Sequence, residues 1–396
     1  MNRLCHYITV IGGELKNFII RNKVLFIIIL SLFAIKFIWI AWADWNIGST
    51  DSEKEDVLKR RNWLISKVCV EPRQLIKEMP SGIGLQFQGE WALYSCSMLT
   101  KVLTNMADLY LETKNDAIKT IDSLIQIVLS PELRRYDAVR WDEDPIESLK
   151  EGESHISYIS HLAWMIGNYK KLTTDNKYDE LHHSLCEAMN RRIIASPQFN
   201  LPTYPEEPIY IPDMLVAIVA LHDYSIRNNG KYGDTVAKWL RLAKTEWLDL
   251  DTGLLNSTLE EPSTVKGSYS ALNCYYLSLI DSDFAHEQYN KLKKLFYRDG
   301  LLAGLKEYHD SSPLLGFDID AGPIVFGLSP SGTAFFIGSA TYFNDTKTRS
   351  KLLRTAEIAG HTISWDNNRH YILADYAIVG EAITLAMRTN FNITNL

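Results

Sequence analysis

The chain has 396 residues, 46% hydrophobic and 22% charged, which is ordinary globular composition and enough for one large domain or two smaller ones. The net charge is −7, and it is uneven: residues 1–45 hold five Lys/Arg against two acids, and the remainder holds 36 against 46. An acidic body argues against nucleic acid as a partner, which needs a basic surface to bind its phosphates.

The first predicted element is "VLFIIILSLFAIKFIWIAW", Val24 to Trp42, nearly uniformly apolar over 19 residues and about one bilayer crossing long. Arg3, Lys16, Arg21 and Lys23 precede it; Asp44, Asp51, Glu53, Glu55 and Asp56 follow. The positive-inside rule then predicts a cytoplasmic segment 1–23, a single-pass anchor 24–42, a linker 43–54 and a domain 55–396 outside the cytoplasm, periplasmic or extracellular. Lys36 can snorkel, and Trp39, Trp42 and Trp45 suit an interfacial belt. Ala41-Trp42-Ala43 has the small-x-small form of a signal cleavage site, the rival reading. Both readings export residues 46–396.

Beyond the anchor the chain alternates two kinds of connection. Short polar turns occur at "ETKND" (112–116), "TTDNK" (173–177), "NNGKYGD" (228–234), "DSD" (281–283) and "NDT" (344–346). An apolar, aromatic-rich segment precedes each, as in "DMLVAIVALHDYSI", and an amphipathic charged one follows, as in "GDTVAKWLRLAKTEWL". The other connections, roughly 131–154, 197–212, 248–267, 299–329 and 364–370, are long and rich in Pro, Gly, Tyr and acids. Short turns join antiparallel neighbours, so five helical pairs are predicted. "SEKEDVLKRRNWLISKVC" and "RHYILADYAIVGEAITLAMRT" are left over at the two ends and can form a sixth pair. The expectation is an all-α fold, an (α/α)6 toroid of six inner and six outer helices with few strands.

This alternation, with aromatics and acids on the long-loop side, resembles the six-hairpin toroid superfamily of glycoside hydrolases, polysaccharide lyases and sugar epimerases. The passages "KGSYSALNCYYLSLID" and "DIDAGPIVFGLSPSGTAFFIGSA" also look like the toroid domain of linalool dehydratase-isomerase-like proteins. The resemblance covers about residues 55–390. It implies the fold and a pocket at one mouth of a central funnel, and it transfers no catalytic residue.

Long loops and the N-termini of inner helices would surround that mouth, where free N–H groups and helix dipoles favour polar ligands. In "GIGLQFQGEW", Gln86, Gln88 and Trp91 can contact a ligand, and Glu90 is a candidate general acid or a dipole-complementing first-turn acid. In "RWDEDPIESLKEGESHISY", Trp141, Glu143 and Asp144 lie in a loop, and Glu153, His155 and Tyr158 lead into the next inner helix; a His beside a Glu suits proton transfer. Ser154 is the expected cap there. In "NLPTYPEEPIYIPD", Tyr204 and Tyr210 can stack on sugar rings, and Asp213 is either an N-cap or points at the funnel. In "STVKGSYS", Lys266, Ser268 and Tyr269 sit at the mouth. Asp318 and Asp320 stand two apart and share a face if extended; they read as a subsite, a cation site, or a loop tied by Asp side chains to backbone N–H groups, with Ser329 or Ser331 capping the next helix.

Four cysteines follow the anchor, Cys69, Cys96, Cys186 and Cys274, at long spacings in apolar helical contexts, so buried free thiols are expected rather than a zinc site. GxGxxG after a strand, GxxxxGK[ST], HExxH and GxSxG are absent, which disfavours nucleotide enzymes and serine hydrolases of those types. No cofactor or metal is expected. The leading expectation is an exported, anchored enzyme acting on a carbohydrate by hydrolysis or elimination through Glu90, His155, Asp213, Asp318 and Asp320. Gln88, Trp91, Trp141, Tyr158, Tyr204, Tyr210 and Tyr269 would bind a small-molecule or oligosaccharide ligand. The alternatives are a toroid enzyme on an apolar, isoprenoid-like substrate, and a noncatalytic binding module of the cell envelope.

Overall fold

The computed structural model describes residues 22–47, 50–80, 84–260, 265–310 and 313–392. All but the last residues of the expected segment 1–23 therefore lie outside the described residues, as does the Gln86 side chain. The chain divides into two compact units, Met1–Glu53 and Lys54–Leu396. The first contains α1, Lys23–Ile47. Its described side chains are mostly exposed and apolar from Val24 to Ile38. They end at residue 39, about 22 Å along the helix from residue 24 at 1.5 Å per residue. Among the described residues no helix is long and apolar enough to cross a membrane.

The second unit is mostly helical. α2 is Thr50–Val68, and a short α3, Pro72–Glu78, leads to α4, Leu85–Leu109. Then come α5 (Lys114–Leu129), α6 (Pro131–Trp141), α7 (Ile156–Leu172), α8 (Asp179–Ala195), α9 (Ile211–Arg227) and α10 (Gly233–Thr245). The last five are α11 (Gly267–Ser278), α12 (Ser282–Phe296), α13 (Pro330–Tyr342), α14 (Thr346–Gly360) and α15 (Ile378–Arg388). α4 packs on α7, α7 on α9, α9 on α11, α11 on α13 and α13 on α15, and α15 returns to α4. The ring of inner helices is closed, and it is an (α/α)6 toroid. α5, α8, α10, α12 and α14 each pack outside the inner helix they follow.

Sequence explains which helices go inside. α9, "IPDMLVAIVALHDYSIR", is apolar around nearly its whole circumference, and all but four of its residues are buried. α10 buries only one stripe, Thr235, Val236, Trp239 and Ala243. α2 joins α15 by a buried polar seam. Arg60 donates to Glu381 on α15 at 2.8 Å, to Asp56 at 3.1 Å and to the Thr362 hydroxyl at 2.5 Å, and Arg388 bonds Asp56. The two leftover helices thus make the sixth pair.

The expectation of few strands needs correction in the last two long connections. β1 (Tyr297–Arg298), β2 (Gly304–Lys306), β3 (Leu315–Asp318), β4 (Gly322–Val325) and β5 (Leu328–Ser329) form an antiparallel sheet in the order β1-β2-β5-β4-β3. β6 (Thr362–Trp365) and β7 (Asn368–Tyr371) form a hairpin. Two glycines that read as loop shape the five-stranded sheet: Gly322 opens β4 and Gly327 turns β4 into β5, with φ of 77° and 76°, which other residues resist.

Candidate functional site

The inner helices run parallel, so their N-termini and all the long connections meet at one end. Glu90 sits in the second turn of α4, not the first, because the helix begins at Leu85. Its side chain is 17% exposed, and the Arg140 guanidinium on α6 lies 3.7 Å away without a hydrogen bond. Burial raises the Glu90 carboxyl; Arg140 opposes this and the Asp213 charge adds to it, leaving it at about 8. One helical turn on, Tyr94 donates to Asp213 Oδ1 at 3.3 Å, which ties α4 to α9. Thr203 donates to Asp213 Oδ2 at 2.6 Å. Asp213 is not the N-cap of α9, which is Tyr210, so its carboxylate is free to face the funnel. Burial raises Asp213 to about 6, with Asp320 adding and the Thr203 bond opposing. Two acids on inner helices α4 and α9, which stand on either side of α7, thus lie on either side of neutral pH.

Lys266 at the start of α11 holds the other two acids. Its Nζ donates to Asp318 at 3.0 Å and to Asp320 at 2.8 Å. Burial would raise Asp318, but Lys266 and the Tyr308 hydroxyl, at 2.8 Å, hold it below the usual carboxylate range. Asp318 Oδ1 also accepts from the backbone N–H groups of Asp320 and Ala321, so it makes the β3–β4 turn as well. Asp318 and Asp320 are therefore the two arms of a lysine clamp rather than an acid/base pair. The Asp320 charge is felt at both Asp213 and Tyr269, so the clamp adjoins the Glu90–Asp213 pair.

The aromatic candidates divide. Tyr204 is buried with the Arg140 guanidinium 3.4 Å over its ring, and its hydroxyl pairs with Ser157 at 3.2 Å. Tyr210 meets Tyr269 edge to face at 5.8 Å beside Lys266. These three belong to the site, and Trp91 is half-buried on α4 next to Glu90. Tyr158 does not belong: it is fully buried and donates to the Val128 carbonyl at 2.8 Å. Gln88 is also structural, donating to the Met79 carbonyl at 2.7 Å.

His155 needs correction too. It is the N-cap of α7, with φ of 49°, and is wholly buried. Nδ1 pairs with Asp137 at 2.5 Å and Nε2 with Glu143 at 3.0 Å, so both ring nitrogens are used in anchoring the α6–α7 corner. Trp141 packs on the His155 ring at 5.5 Å. The expected Ser154 contact is real but secondary: its hydroxyl accepts from Ile156 N–H at 3.3 Å. Ser329 caps α13 as expected.

Sequence reading missed Tyr94, Arg140 and Glu307. Tyr94 was findable, because it stands four residues after Glu90 on the same helix face. Glu307 is fully buried in β2's loop and seats α11 by accepting from Ser268 N–H at 3.1 Å and its hydroxyl at 2.7 Å. Nothing in the local sequence marks it.

Further along the inner helices stand buried polar atoms that have no hydrogen-bond partner among the described residues. They include His161 Nε2 and Trp164 Nε1 on α7, and both amide atoms of Asn273 and the Tyr276 hydroxyl on α11. Each would cost roughly 1–3 kcal/mol if it stayed unmet. Clefts of about 200 Å³ and about 510 Å³ lie elsewhere, the first by Arg298 and Phe326 and the second by Asn190 and Tyr232. The four described cysteines are free thiols. Among the described residues no group of His, Cys, Asp and Glu is arranged to hold a metal.

No family model matches the chain, and neither does any curated protein. One solved structure, "Crystal structure of unsaturated glucuronyl hydrolase specific for heparin", is similar at 10% identity and a TM-score of 0.48, over 83% of this chain and 97% of that one.

Proposed function

We propose that the toroid cleaves a glycosidic bond of a carbohydrate, with Glu90 as general acid and Asp213 as general base. The observation that carries this reading is the pair itself. At pH 7 a carboxyl at about 8 holds its proton and one at about 6 has lost it. Environments that push two neighbouring acids apart in this way assign them opposite proton-transfer roles. Arg140, Tyr94 and Thr203 position the pair, and Tyr210 and Tyr269 supply flat faces for sugar rings. The Glu90 and Asp213 carboxyls and the Lys266 clamp suit a hydroxyl-rich guest better than a hydrocarbon, which ranks a polyol substrate above an isoprenoid one.

The test is release of new sugar ends from a panel of oligosaccharides. Glu90→Gln and Asp213→Asn should each lower kcat by roughly 10²–10⁴ with KM little changed. Turnover of some glycan at the wild-type rate by both variants would sink the assignment.

The membrane tether is part of the same proposal. The apolar run Val24 to Trp42 in the sequence supports it, with cations before and acids after. The full chain should stay with membranes through an alkaline carbonate wash, and a chain lacking residues 1–45 should not. Release of the full chain by the wash would remove the tether.

A further inference from the structure

The long-loop end of the toroid differs from the short-turn end in its exposed surface. Among the described residues of the second unit, the large apolar side chains left in solvent belong to the long-loop end, apart from Leu111 and Ile226. They concentrate in two neighbouring connections, those that feed α13 and α15. The first contributes the β3–β4 hairpin. Its register pairs Leu315 with Val325 and Phe317 with Pro323, which puts all four on one face. Leu315 is 73% exposed and Phe317 65%, and Leu314 and Phe326 extend the patch. β3 is the edge strand of its sheet, so the face is not covered from that side. The second connection adds Trp365, Leu373 and Tyr376, the last 76% exposed.

Beside the hairpin lies the cleft of about 200 Å³, lined by Arg298, Lys306, His309, Asp310, Leu314, Phe326 and Gly327, with Asp310 paired to His309 at 2.7 Å. Arg298 donates to the Phe326 carbonyl at 2.8 Å and Lys306 to the His309 carbonyl at 2.5 Å. Carbonyl partners satisfy hydrogen bonds without cancelling charge. The apolar hairpin face therefore adjoins a slot holding two cations that carbonyl partners leave uncancelled, and Trp365 and Tyr376 stand exposed in the neighbouring connection. A soluble surface seldom keeps such a combination uncovered.

We infer that this end of the toroid docks on an anionic bilayer, with the β3–β4 hairpin dipping into the lipid interface and Arg298 and Lys306 receiving a lipid phosphate. The combination is that of an interfacial anchor: apolar groups for the acyl boundary, Trp and Tyr at headgroup depth, cations for anionic lipid. The lipid source is favoured over a second copy of the chain because a Trp and a Tyr, the residues of a headgroup boundary, stand exposed in the connection next to the hairpin. The apolar stretch at 24–42 also gives the chain a bilayer to meet, and to that extent the inference rests on the tethered reading. The hairpin that touches lipid also carries Asp318 and Asp320, clamped by Lys266 at the funnel mouth. The mouth then opens at the membrane surface, and the substrate class narrows to glycans attached to or lying against lipid.

The full chain, with Cys5→Ser and Cys69→Ser, is labelled with an environment-sensitive nitrobenzoxadiazole at Phe317→Cys, Leu373→Cys or Leu111→Cys. It is reconstituted in phosphatidylcholine vesicles with and without phosphatidylglycerol. Brominated lipid should quench positions 317 and 373 about threefold more than position 111, with blue-shifted emission at the first two. Arg298→Gln with Lys306→Gln should remove the increase given by phosphatidylglycerol. Equal quenching at 317 and 111 overturns the inference, and so does a blue shift at 317 that grows with protein concentration and needs no lipid. The carbonate wash reads the tether alone, so a chain that stays bound while position 317 remains in water loses this inference and keeps the other.

Discussion

Glu90 keeps its proton through neutral pH because the folded chain withholds water from it and places the Asp213 charge nearby, and Arg140 only partly offsets this. That has a thermodynamic sign. The unfolded side chain titrates near 4.5 and the folded one near 8, so between those values the folded state holds the extra proton. Stability contributed by this residue is whole below about 4.5 and is lost as pH rises toward 8. Asp213 has the same sign over a lower window that ends near 6. Glu90→Gln keeps the shape and removes the titration. Its melting temperature should exceed wild type by on the order of 5 °C at pH 8.5 and by little at pH 5. A gain that is the same at both pH values would contradict the buried-acid reading. Both acids were legible as mouth residues. The proposed division of labour between them was not, because it depends on Tyr94, Thr203 and Arg140, which arrive from other parts of the chain. His155 misled for a related reason. A His next to a Glu in sequence signals proton transfer, yet here Asp137 and Glu143 occupy both ring nitrogens.

At the scale of elements, the helices were readable because burial repeats with a fixed period. An inner helix such as α9 is apolar all round, and an outer one such as α10 has one apolar stripe. The sheet of β1 to β5 was not readable. Its strands are two to four residues long, too short for an alternating pattern to stand out, and Gly and Pro interrupt it. Its placement depends on close backbone approach: a Cβ on Gly267 would come within 2.0 Å of the Lys306 carbonyl oxygen. That approach lets the start of α11 lie against β2 and brings Glu307 to the free N–H of Ser268. The hairpin's second role, as an exposed apolar face, follows from register, which sequence alone does not give.

At the scale of the molecule, the toroid was legible from bookkeeping of pairs: five short turns left one helix at each end without a partner. What seals those two is a cluster of charges that sequence gives no reason to associate. Arg60 is buried against Asp56, Glu381 and Thr362, and its guanidinium also lies 4.1 Å over the Tyr371 ring. Burial alone would raise Asp56, but Arg60, Arg388 and Arg369 hold its carboxyl far below the usual range. Arg60→Met would leave Glu381 and Asp56 inside with fewer counter-charges. It should lower the urea-unfolding free energy by roughly 3–5 kcal/mol, measured at neutral pH. A loss under about 1 kcal/mol would show that the seam is held by packing instead.

That seam also imposes an order on biogenesis. Its principal contact joins residues 321 positions apart, so Arg60 leaves the ribosome long before Glu381 exists. Helices in between can pair with their neighbours as they emerge, but the barrel stays a horseshoe until the final stretch of chain arrives. Through that interval Arg60 and Asp56 have only each other, and a polypeptide stopped short of α15 would carry an open flank able to recruit the same helix from another copy.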